Sequence, residues 1–123
     1  MRWLVDGNNV FGARPDGWWN DRQAAMARFT QRVAEWCRTH ADAVTIVFDQ
    51  PLSDSVRVLA GGNLSVIAAS RRGRNAADDE IAQLAAADPH ELIVVTSDKG
   101  LRARLPAGVE VIGAGRFRSI VGY

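Results

Sequence analysis

The sequence predicts an α/β chain folded as a three-layer α/β/α sandwich, with a five-stranded parallel sheet in the order 3-2-1-4-5. Three observations predict it. Five short apolar runs recur along the 123 residues. Those runs are continuous rather than alternating, so both faces of each strand should be covered, as in a parallel sheet. Helical patterns stand between the runs, which makes right-handed crossovers the natural connection.

The strands are expected at Trp3 to Val5, Val44 to Phe48, Leu64 to Ala69, Leu92 to Thr96 and Val109 to Ile112. Between the first two, Asn20 to Thr39 places Ala24, Ala27, Val33 and Trp36 near one helical stripe. Asn20 is the expected cap, with Gln23 as its capping-box partner. Asp54 to Leu59 reads as a short helix or an irregular crossover. Ala76 to Ala87 repeats apolar positions at Ala77, Ile81, Leu84 and Ala85, and Pro89 ends it. Lys99 to Arg104 is a short helix stopped before Pro106. The tail from Gly113 to Tyr123 is too short and mixed to assign. With no repeat, low-complexity stretch or linker in view, residues 1–123 read as one domain.

Composition excludes several classes. Hydrophobic residues make up 47% and charged residues 24%, the balance of an ordinary globular domain. Cys37 is the only cysteine, so no internal disulfide forms, and a reducing cytoplasm is the expected compartment. Asp6 interrupts the first apolar run, so no signal peptide is expected at the start. No run approaches the ~20 residues of a membrane span, so no membrane partner is expected. Monomer and homodimer both stay open. Fourteen of the fifteen cations are arginine, and Arg71, Arg72 and Arg74 crowd together. Aspartates at the centre with arginines around them suit a polyanion held through metal ions.

Three strands end in an aspartate on the same edge of the sheet: Asp6, Asp49 and Asp98. In the expected order these strands are neighbours, about 4.8 Å apart. Asp6 and Asp98 flank the switch point, where open parallel sheets bind ligands. Carboxylates that close repel and raise each other's pKa. Magnesium or manganese would compensate them, because hard cations prefer oxygen ligands. No histidine–cysteine spacing suggests zinc. Each aspartate taken singly also fits a turn former or helix cap, and Asp98 before Lys99 fits a cap well. Asp78 and Asp79 open a helix, where carboxylates suit the dipole and Asn75 with Asp78 resembles a capping box. Convergence is what capping leaves unexplained. Asp6 is expected to lead into a loop, Gly7-Asn8-Asn9, rather than a helix.

Four blocks carry a resemblance: Asp6-Gly7-Asn8-Asn9, Val47-Phe48-Asp49, Ala77-Asp78 with Ile81, and Thr96-Ser97-Asp98. In this order they resemble the signature blocks of NYN domains, metal-dependent ribonucleases of the PIN-like superfamily. The resemblance runs from Trp3 to about Ile112. It implies that Asp6, Asn9, Asp49, Asp78 and Asp98 are the catalytic set. It implies Asp6, Asp78 and Asp98 as ligands of Mg2+ or Mn2+, with Asp79 as an additional one. Thr96 or Ser97 would be a hydroxyl partner of Asp98. The implied reaction is hydrolysis of phosphodiester bonds in single-stranded RNA, with one or two divalent ions activating water and neutralising phosphate charge. An open site with no visible end-binding pocket favours an endonuclease.

Arg14, Arg71, Arg72, Arg74, Lys99 and Arg102 are the expected phosphate contacts. Trp18 and Trp19 share a loop and could stack on unpaired bases, although their bulk favours packing under the loop. Two enzyme rivals fit less well. A receiver domain needs its phosphoacceptor after the third strand, where Ser70-Arg71-Arg72 stands. A dehalogenase-like phosphatase needs an acid at the position of Asn8. A non-catalytic RNA-binding module would keep the fold, and a toxin of a toxin–antitoxin pair would keep the chemistry.

Overall fold

The computed structural model describes residues 1–14, 17–70, 73 and 75–123. Among these, β1 (Arg2–Asp6) leads directly into α1 (Gly7–Gly12), followed by α2 (Arg22–Cys37) and β2 (Ala43–Phe48). Next come α3 (Asp54–Arg57), β3 (Leu64–Ala68), α4 (Ala76–Ala87) and β4 (Leu92–Val95). The chain closes with α5 (Lys99–Ala103), β5 (Glu110–Ile112) and α6 (Ala114–Val121). The five strands form one parallel sheet in the order β3-β2-β1-β4-β5.

Strand composition explains the burial. Leu92-Ile93-Val94-Val95 is buried at every position, because helices cover both faces of β4. On one face Val5, Ile46, Phe48, Ile93 and Val95 pack with Phe11, Phe29, Val33 and Phe117 from α1, α2 and α6. On the other, Leu4, Val47 and Val94 pack with Ala77, Ile81 and Ala85 of α4 and Leu101 of α5. The alanines of α4 bring that helix close to the sheet, and with it the acids of its first turn.

Three local expectations are corrected. The cap of α2 is Asp21 rather than Asn20: its carboxylate accepts from Ala24 N at 3.0 Å. Gln23, its supposed capping-box partner, instead donates to the carbonyl of Pro51. Asn75 makes no side-chain cap bond to α4. Finally, Asp6 leads into a helix, not a loop. Gly7 permits this turn, since a Cβ there would lie 2.5 Å from the Phe48 ring and 2.9 Å from Ile46. The unassigned tail forms α6, which buries Ala114, Phe117 and Val121 on one stripe. It ends at Gly122, whose φ of 77° suits a residue without a Cβ.

Candidate functional site

The carboxyl ends of β1, β2 and β4 meet the start of α4 at the switch point of the sheet. Asp6 ends β1 and is buried. Its Oδ2 accepts from the hydroxyl of Thr96, just beyond β4, at 2.9 Å. The same hydroxyl oxygen accepts from Asp98 N at 3.1 Å. One fully buried side chain therefore ties the two aspartates together. Asp98 in turn caps α5, accepting from Leu101 N at 2.9 Å.

Asp49, beyond β2, is held from two sides. Its N–H donates to Asn8 Oδ1 at 2.8 Å. Its own Oδ1 accepts from Ala77 N, also at 2.8 Å. Asp49 thus supplies the cap that Asn75 does not, and it draws α4 toward β2. Asn9 locks the remaining corner, accepting from Ser97 N at 2.7 Å. The Ser97 hydroxyl oxygen accepts from Ala114 N at 2.8 Å and starts α6. That task makes Ser97 a helix cap rather than a partner of Asp98; the hydroxyl beside the acids is Thr96.

The electrostatics follow from this gathering. The Asp6 carboxyl is pushed up to about 7: burial raises it most, the charges of Asp78 and Asp49 add to this, and the hydrogen bonds from Thr96 and the Asn9 backbone pull against it. Asp78 rises to about 6, first through burial and then through Asp98 and Asp49. Four of the expected residues, Asp6, Asp49, Asp78 and Asp98, therefore share one electrostatic site. Asp79 adds a smaller push on Asp78, and its own carboxylate pairs with Arg104 at 2.9 Å.

The donor chemistry fits a hard divalent cation, since the side-chain groups around the site offer oxygen. Asp49 and Asp98 each use Oδ1 to hold a helix start, while Asp6 accepts from the Thr96 hydroxyl and from the backbone N–H of Asn9. As the side chains stand, no three His, Cys, Asp or Glu residues among those described form a group that could hold a metal ion. Occupation would therefore need the carboxylates to turn inward.

The basic candidates divide. Arg71, Arg72 and Arg74 lie outside the described residues. Lys99 and Arg102 are exposed on α5, beside Asp98. Arg14 lines a different cavity. Its guanidinium lies 4.6 Å from the centre of the Tyr123 ring, in a cavity of about 530 Å³ shared with Arg28 and Arg32 of α2. That larger cavity contains none of the four aspartates; a smaller cleft of about 470 Å³ reaches Asp49. Trp18 is partly buried, edge-on to Phe11 at 5.7 Å, and also lines the smaller cleft, while Trp19 is exposed. Sequence reasoning passed over Asn8 and Gln50. Asn8 Nδ2 donates to Gln50 Oε1 at 2.8 Å, a link between chain segments 42 residues apart.

Fold and site together define a parallel α/β domain with an acidic cluster at its switch point. No family model matches the chain, and no curated protein matches it. Among solved structures it is similar to Rae1 (YacP) from Bacillus subtilis, with a TM-score of 0.74 and 23% identity. The match covers 99% of this chain and 74% of that one. The likeness is one of fold.

Proposed function

We propose that this chain is a divalent-metal-dependent ribonuclease of the NYN type, cutting single-stranded RNA internally. One observation carries the reading. Four aspartates from three strand ends and one helix start are gathered so closely that their charges add to the burial which raises the pKa of Asp6 and Asp78. Capping accounts for single members of the cluster, but the mutual repulsion of the charges works against the metal-free fold, whereas a cation and a phosphate would use it. Asp6, Asp78 and Asp98 would hold Mg2+ or Mn2+, with Asp49 beside them. The bound ion would supply a water nucleophile at neutral pH and neutralise charge on the phosphate. Thr96 and Asn9 position the loop that carries Asp98, and Asn8 positions Asp49. Lys99 and Arg102 stand where they could meet the phosphates flanking the cut. Among the described residues, no helix is long and apolar enough to cross a membrane.

The test is cleavage of a labelled single-stranded RNA with magnesium, with manganese and with EDTA. The reading expects internal cuts with either metal and none with EDTA. Undiminished cutting in EDTA, or no cutting in any metal, would overturn it.

A further inference from the structure

We propose that the cleft beside Asp49 is a nucleobase subsite, which stacks one unpaired base of the RNA between the Trp18 ring and the Arg22 guanidinium. The subsite rests on the ribonuclease reading and adds the part of the substrate that is recognised next to the cut. The cleft, about 470 Å³, has room for a base. Its walls include Trp18, Arg22, Gln50, Asn8 and Asp49.

Three features suit a base. The first is a supported aromatic ring. Trp18 is braced edge-on by Phe11 and by Trp19, with centroids 5.7 Å and 5.9 Å away. A braced ring loses little entropy when a base stacks on it. The second is Arg22. Its guanidinium carbon lies 5.5 Å from the Trp18 ring centre, and the residue is exposed, so the planar group can open and close over a second plane. Such a plane stacks on a base as well as on an indole. The third is a fixed polar edge. The Asp49 N–H can only donate, so Asn8 must present its oxygen there. Asn8 then donates through its NH2, so Gln50 must present its oxygen in turn. The donor end of Gln50 is left over for an acceptor on a base edge. Because Asp49 belongs to both the cleft and the acidic site, the base is one that flanks the scissile phosphate.

The experiment walks a single abasic residue through a short single-stranded RNA. The wild-type chain is measured for KM and kcat in manganese, and for Kd in EDTA by tryptophan fluorescence. The inference expects one position, adjacent to the cut, at which the abasic residue raises Kd and KM about tenfold with little change in kcat. In Trp18→Ala that positional penalty should vanish, because the stacking partner is already gone. Trp18→Phe should keep most of it. Arg22→Lys should behave like Arg22→Ala, since charge without a planar face does not stack. An equal penalty at every position would overturn the subsite, as would a penalty that persists undiminished in Trp18→Ala. The two readings fail separately. If RNA is cut but no position is special, the subsite alone is wrong. If nothing is cut, the Kd scan in EDTA still decides the subsite.

Discussion

The hydroxyl of Thr96 donates to Asp6 at 2.9 Å, and both groups are buried. The two residues lie 90 positions apart in the chain and meet because β1 and β4 are neighbours in the sheet. This bond and the one from the Asn9 backbone do not offset the burial of a carboxylate, and the Asp6 carboxyl is pushed up to about 7.

That imbalance gives a pH dependence of stability. A raised folded pKa means that the folded chain holds the Asp6 proton more tightly than the unfolded chain does. The contribution to stability is therefore full below about pH 4 and is lost as pH rises through 7. A rise from 3.8 to about 7 corresponds to roughly 4 kcal/mol as an upper figure. Asp6→Asn, whose amide oxygen still accepts from Thr96, should melt above wild type at pH 8 and close to it at pH 3.5. Metal-free melting curves across that range check this; a difference in Tm that does not grow with pH would contradict it.

Asp49 has two roles that one pair of variants separates. Asp49→Ala removes the cap on Ala77 N and should cost about 1 kcal/mol of stability. Asp49→Asn keeps an acceptor and should fold as well as wild type. On the proposed function both should cut RNA more slowly, because both remove the charge. Urea unfolding, paired with cleavage rates, tests the separation. If Asp49→Asn cleaves normally, Asp49 is only a cap.

Gly7→Ala should destabilise the fold by about 1–3 kcal/mol, since its Cβ would drive into the Phe48 ring and Ile46. Thermal unfolding checks it. A neutral result would mean that the turn from β1 into α1 has room which the structure does not show.

Much of this architecture was legible in the residues. The five apolar runs marked the five strands, and their continuity marked a parallel sheet with both faces covered. The order 3-2-1-4-5 then placed Asp6, Asp49 and Asp98 on neighbouring strand ends. What the sequence hid depends on contacts far apart in the chain. Nothing local to Asn75 says that the cap of α4 comes from Asp49, 28 residues before Ala77. Nothing near Gly7 says that Phe48 and Ile46 press against it, so the helix after Asp6 read as a loop. Arg14 stands in the loop after the first strand and Asp79 beside Asp78, which says nothing of the partners each takes. Those partners, Tyr123 and Arg104, are ones that only the fold supplies. The stripe Ala114, Phe117 and Val121 was present in the sequence, but three positions in a short tail are a weak signal.

Asp98 separates chemistry from structure most cleanly. Its Oδ1 caps α5, and asparagine caps a helix as well as aspartate does. Asp98→Asn therefore removes the charge and keeps the fold. The decisive measurement is the single-turnover cleavage rate of Asp98→Asn against wild type, on one single-stranded RNA with manganese in excess, both proteins having matched melting curves. The account predicts a fall on the order of a hundredfold or more, with RNA binding retained, because cation affinity and water activation depend on that charge. Cleavage at the wild-type rate would make Asp98 a helix cap and nothing more, and would contradict the acidic site as the seat of the chemistry.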